Sequence, residues 1–181
     1  MTLTEIKTQI LAMIEELNPE SPLLTDDPDI SAKINFVINQ IQCELARIKK
    51  IPRNIELEVH ENDFKDFKDI DTNFYQLSLI RGVKHEIIDD TVTFQEDGKA
   101  KVYYYAMPKL ITSENQEDYV FELSDDLMQV LPYGVAGDLL KSDISANYGA
   151  VYANRYESML QRIDPRYSTG TIYIGGEDYG I

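Results

Sequence analysis

The chain has one cysteine, two histidines, too few bases to balance its acids, and no long apolar run. Cys43, the only cysteine, excludes an intramolecular disulfide and a cysteine-based metal site. Its place in a helical pattern makes it a small core residue rather than a nucleophile. His60 and His85 stand 25 residues apart, and neither belongs to an HxxxH or HxxE arrangement, so a histidine-based metal centre has little to build on. Against 32 acids there are 17 bases, giving a net charge of −15. Such a chain lacks the clustered Lys and Arg that a grip on a nucleic-acid backbone needs. No stretch approaches the roughly 18 apolar residues of a membrane-crossing helix, and the N-terminus reads as neither a signal peptide nor an anchor. There is no Walker loop and no GxGxxG, and neither Ser78 nor Ser124 sits in a GxSxG. Asp26, Asp27 and Asp29 lack the glycine and distal glutamate of an EF-hand, so they read as a capping cluster. With no catalytic motif, we expect no enzyme, no cofactor and no metal.

What remains is material for a core. The 181 residues suit one domain, or one core with a small satellite, and 43% hydrophobic content is ordinary for a globular chain. Residues 51–123 hold 16 of the acids against 8 bases, so the middle of the chain carries about half the excess charge.

Thr2 and Glu5 form a capping box, followed by Leu3, Ile6, Ile10, Ile14 and Leu17 at helical spacing, with Asn18-Pro19 as the stop. A second helix starts at Asp27-Pro28, carries a stripe from Ile30 to Ile48, and ends at Pro52. The period then falls to two in Ile55, Leu57 and Val59. Residues 61–73 read as a loop tethered by Phe64, Phe67 and Ile70. YQLSLI reads as a strand, Arg81-Gly82 as a turn, and TVTFQEDGKAKVYYY as a hairpin about Asp97-Gly98. After a short strand, YVFEL, Ser124 caps a third helix in which Pro132, Gly134 and Gly137 imply close packing. A fourth helix carries Tyr148, Tyr152 and Tyr156 at steps of four, a stripe suited to an interface or to a core edge. In the tail, Thr171, Ile172, Tyr173 and Ile174, followed by Gly175 and Gly176, suggest a strand seeking another sheet's edge.

The expected fold is therefore α+β: an antiparallel bundle of about four helices, with a β-rich insertion between the second and third and an extended C-terminal tail. The helical core would comprise 1–52 and 119–164, the insertion 53–118, and the arm 165–181.

Three segments in this order, VYYYAMPKLIT (102–112), ELSDDLMQVLPYGVAGDLL (122–140) and YANRYESMLQRI (152–163), make the chain resemble the head–tail connector proteins of tailed bacteriophages. The likeness is best over 99–163, extends by element order to 1–60, and is weakest in the long acidic insertion. It implies a structural virion protein at the neck, forming a ring, commonly of twelve copies, beneath the portal. It implies as partners the portal, a next connector or tail-completion protein, and further copies of the chain. The tyrosines and the tail residues 171–176 are the candidate interface. The acidity suits a channel wall that DNA passes without being gripped. Two competing readings are an acidic inhibitor that imitates nucleic acid and a small-molecule binding module or enzyme.

Overall fold

The computed structural model describes residues 1–141 and 148–163. Helix α1 (Leu3–Met13) opens with the expected capping box: Glu5 N–H donates to Thr2 Oγ1 at 3.2 Å and Thr2 N–H donates to Glu5 Oε2 at 2.8 Å. It stops well before the proline. Glu15 adopts a left-handed φ of 62°, and Glu16 N–H donates to Leu11 O at 2.9 Å, the bond that closes a Schellman turn. Helix α2 (Pro28–Ile48) is capped by Asp27, whose Oδ1 accepts from the amides of Asp29 and Ile30.

The chain then forms β1 (Ile51–Val59), β2 (Phe64–Asp66), the single-turn helix α3 (Phe67–Ile70), β3 (Phe74–Arg81), β4 (His85–Ile88), β5 (Thr91–Phe94) and β6 (Gly98–Ala106). Helices α4 (Asp125–Leu139) and α5 (Tyr148–Ile163) follow.

The α+β class holds, but the four-helix bundle with a single insertion does not. Among the described residues there are five helices and two three-stranded antiparallel sheets. Nor are the long helices equal staves, because α1, α2 and α5 all pack against α4. Nine of its 15 residues are buried, among them Leu127, Val130, Leu131, Pro132, Gly134 and Val135. A helix apolar over most of its circumference, with only Asp125 and Gln129 exposed, must be largely surrounded, so α4 becomes a hub. Gly134 and Gly137 permit the approach. A Cβ on Gly134 would meet Tyr156 Cε2 at 2.8 Å, and one on Gly137 would meet Ala153 N at 3.1 Å.

The β region also differs from expectation. One sheet runs β1-β6-β3 and the other β2-β5-β4, so β5 and β6 are central strands of different sheets. The expected hairpin about Asp97-Gly98 is thus a crossing between sheets, and Asp97 Oδ1 instead accepts from Glu61 N–H at 2.7 Å. Length decides the pairing. β6 matches all nine residues of β1, from Ile51 opposite Ala106 to Val59 opposite Gly98, whereas β5 has only four residues to offer. The tight hairpin joins β4 to β5 through Asp89-Asp90, with Asp89 at φ 52°. Gly82 turns the chain from one sheet to the other at φ 100°, where a Cβ would lie 2.3 Å from Lys99 O. The expected loop at 61–73 contains β2 and α3; Phe67 is buried and Ile70 half-buried there, whereas Phe64 is exposed.

Both sheets share a core separate from the helical one, including Phe67, Phe74, Val92, Phe94, Val102 and Tyr104. Phe67 stacks on Phe74 with ring centroids 4.7 Å apart, and Phe74 on Tyr104 at 5.4 Å.

Residues 107–124 return to the helices without the expected strand, forming only one isolated bridge, Val120 with Thr2. Side chains of α2 take the backbone bonds instead. Asn39 donates to Ile111 O at 2.9 Å and accepts from Ile111 N–H at 2.8 Å. Fully buried Gln42 donates to Lys109 O at 3.3 Å and accepts from Tyr119 O–H at 2.8 Å. Arg53 of β1 then joins sheet to helices, pairing with Asp71 at 2.9 Å and with Glu122 ahead of α4. At the helix itself, Ser124 does not cap through its side chain; its hydroxyl bonds Asp126.

Candidate functional site

The three candidate tyrosines of α5 separate. Four residues of helix turn about 400°, so each step rotates the next tyrosine roughly 40° around the axis. Tyr148 stands 61% exposed. Tyr152 is half-buried and its hydroxyl donates to Met13 O, tying α5 to the end of α1. Tyr156 is buried over Gly134. Two of the three are packing residues, and Tyr148 alone offers an open ring.

Sequence reasoning missed Val151, which is 62% exposed three residues on. Together they make an apolar patch on the first turn of α5. Behind it, the α4–α5 seam leaves a groove of about 320 Å³ whose lining includes Gly137, Leu140, Gly149 and Ala153. The remaining candidates, Thr171, Ile172, Tyr173, Ile174, Gly175 and Gly176, lie outside the described residues.

A second site lies between α1, α2 and the loops at 22–24 and 116–117. It is a cleft of about 430 Å³ walled by Leu3, Leu23, Leu24 and Ile34, with Lys7, Asn35 and Gln116 as polar groups. Lys7 Nζ and Asn35 Nδ2 donate to the same oxygen, Gln116 Oε1, at 3.3 and 3.0 Å. Burial holds the Lys7 ammonium below the ordinary lysine pKa, since its charged form has lost water. Asn35 Oδ1 is buried without a hydrogen-bond partner among the described residues. This orientation of the two amides is the one that gives Lys7 an acceptor. The Lys7 donor needs the Gln116 oxygen, and a reversed Asn35 would set two oxygens together. No sequence signal marked this cleft, because its residues come from four separate stretches.

The other perturbed groups hold structure together. Burial drives the Asp71 carboxyl up, but the Asn73 amide, the Tyr104 hydroxyl and Arg53 outweigh it and hold the group below the usual carboxylate range. Tyr119 is pushed up to about 12, chiefly by burial. Burial likewise raises the Cys43 thiol, which leaves it a poor nucleophile. His60 lies 3.5 Å from Asp97, and His85 Nδ1 lies 3.0 Å from Val83 O. Among the described residues, no group of three or more His, Cys, Asp or Glu is placed to hold a metal ion. No described helix is long and apolar enough to cross a membrane.

No protein-family model matches the chain, and no curated protein matches it significantly.

Proposed function

We propose that this chain is a structural assembly protein, the head–tail connector of a tailed phage. It forms a ring under the portal, links head to tail, and extends the DNA channel at the virion neck. Its partners are the portal, a following connector or tail-completion protein, and its own copies.

The observation that carries this reading is the patch of Tyr148 and Val151, both more than 60% exposed at the start of a helix otherwise anchored on the α4 hub. A ring needs a heterologous contact, in which one face of each copy meets a different face of the next. An aromatic and a β-branched side chain on a rigid helix supply such a face without rearrangement. The order of elements, with two helices, an intervening β region and two further helices, agrees with the resemblance found in the sequence. A net charge of −15 suits a wall past which polyphosphate slides.

The test is negative-stain electron microscopy of the protein mixed with the portal protein of the same genome. Rings seated on the portal are expected. The double variant Tyr148→Asp, Val151→Asp should abolish them while shifting monomer stability by no more than about 0.5 kcal/mol, as surface changes do. Absence of rings with the unmodified protein, or rings undisturbed in the variant, refutes the proposal.

A further inference from the structure

Strand pairing gathers bases that lie far apart in the chain. In β6, Ala100, Val102, Tyr104 and Ala106 are buried, so Lys99, Lys101, Tyr103 and Tyr105 occupy the outer face of the β1-β6-β3 sheet. Across one side Arg81 pairs with Lys101 and Leu79 with Tyr103; across the other Glu58 pairs with Lys99 and Glu56 with Lys101. The rings carry cations. Lys101 Nζ and Arg81 Cζ lie 5.4 and 5.8 Å from the centre of Tyr103, and Lys50 Nζ lies 5.1 Å from that of Tyr105. Lys50, Arg81, Lys99 and Lys101 thus outnumber Glu56 and Glu58 on one aromatic face of a chain whose net charge is −15. Glu56 answers Lys99 at 3.7 Å, but Lys50, Arg81 and Lys101 take part in none of the ion pairs among the described residues.

The β2-β5-β4 sheet presents the reverse. Val92 and Phe94 enter the core that the two sheets share, so Thr91 and Thr93 face outward, and with them their cross-strand neighbours. Phe64 and Glu86 flank Thr93, and Asp66 and Ile88 flank Thr91. Phe64 and Ile88 are exposed, and exposed Asp89 and Asp90 continue the charge at the hairpin tip. The basic residues of these strands, Lys65 and His85, pair with Val92 and Phe94 and so belong to the inner side. None of Asp66, Glu86, Asp89 and Asp90 belongs to an ion pair among the described residues.

We propose that these two faces bind each other between copies. The acidic, apolar β2-β5-β4 face of one molecule seats on the basic, aromatic β1-β6-β3 face of the next, with apolar side chains over rings and carboxylates beside Arg81 and Lys101. Each sheet turns its inner side to the shared core, so the two faces look outward from different sides and one copy can hold two neighbours. Such a heterologous contact propagates into a ring or a filament rather than stopping at a dimer. This pairing rests on the self-assembly part of the function proposed above and names surfaces that meet. Strands of four residues span only about 13 Å, so one junction is weak and gains strength when a ring closes. Single-stranded nucleic acid is the other partner that a basic, aromatic sheet attracts, but Glu56 and Glu58 along the β1 edge oppose its phosphates.

Carbodiimide cross-linking of mixed ¹⁴N- and ¹⁵N-labelled chain tests the pairing without any substitution, at about 1 mM so that even a millimolar contact is well populated. Mixed-isotope links joining Lys99 or Lys101 to Asp66, Glu86, Asp89 or Asp90 are expected, and fewer of them at high salt, which screens exposed charges. Two double variants test the complementarity. Arg81→Glu with Lys101→Glu reverses one face, and Glu86→Lys with Ile88→Lys the other; each should self-associate at least about tenfold more weakly than the parent in sedimentation equilibrium. Mixed in equal amounts they should associate again, intact face on intact face and reversed on reversed. Absence of the mixed-isotope links, a mixture of the folded variants that stays monomeric, or oligothymidylate binding to the sheet without links between copies would overturn the assignment. No portal is present in these experiments, so their failure is distinct from failure of the connector reading, which is decided by rings on the portal.

Discussion

Replacing Gly134 with alanine sets two opposing effects against each other. Glycine inside a helix is less favourable than alanine by about 1 kcal/mol, so helix propensity alone makes the substitution stabilising. In the folded chain, however, the added Cβ would lie 2.8 Å from Tyr156 Cε2 and 3.0 Å from Ile41 Cγ2. Carbon atoms in good contact sit about 3.5–4.0 Å apart, so both neighbours would have to retreat by roughly half an ångström or more. They have nowhere easy to go: Tyr156 on α5 is 8% exposed and Ile41 on α2 is 4% exposed, and they close on α4 together. Overpacking a filled core costs about 1–3 kcal/mol.

The net expectation is a destabilisation of up to about 2 kcal/mol. At this chain length each kcal/mol moves the melting point by about 2–4 °C, so a fall of several degrees should follow. Urea unfolding followed by far-ultraviolet circular dichroism should show a lower midpoint with an unchanged m-value. Combining the change with Tyr156→Leu should recover part of the loss, giving a favourable coupling of about 0.5–3 kcal/mol in a double-mutant cycle. A Gly134→Ala variant that melts at or above the parent temperature would refute the tight hub, because it would mean α5 can stand off from α4 without penalty.

Asp71 should govern part of the acid limb of stability. Its folded-state pKa lies below the unfolded value, so its contribution is complete above about pH 4 and is lost as pH falls through the lower folded value. Urea midpoints measured down through that window should decline less steeply for Asp71→Asn than for the parent; parallel curves would contradict the assigned bonds. Glu15, held at φ 62° in the turn that ends α1, is strained in a way glycine is not. Glu15→Gly should therefore stabilise by about 0.5–1 kcal/mol after the entropy gained by the unfolded chain is counted, and calorimetry showing a lower melting point would contradict this.

The sequence by itself determined where the long helices begin and where the period changes. The Thr2–Glu5 box, the Asp27-Pro28 start and the alternation from Ile55 to Val59 are local physics, and each forms as its residues dictate. The absence of clustered bases and the scarcity of cysteine and histidine were equally legible, since they need no geometry. What only tertiary structure decided were the partners of those elements. Asp97-Gly98 suits a hairpin locally, yet nine residues of β1 outbid four of β5 for the edge of β6. YVFEL suits a strand, yet amide side chains on α2 take much of the neighbouring backbone's hydrogen bonding, leaving one isolated bridge. The tyrosine spacing of α5 was plain, but a drift of roughly 40° per step decided that Tyr156 enters the core and Tyr148 meets solvent. The Lys7–Asn35–Gln116 cleft was invisible for a related reason. Its residues stand 28 and 81 positions apart along the chain, and only the packing of α1 and α2 on α4, with the segment that carries Gln116 beside them, brings them to one oxygen. Spacing fixes which face a residue occupies; what that face meets depends on the whole fold.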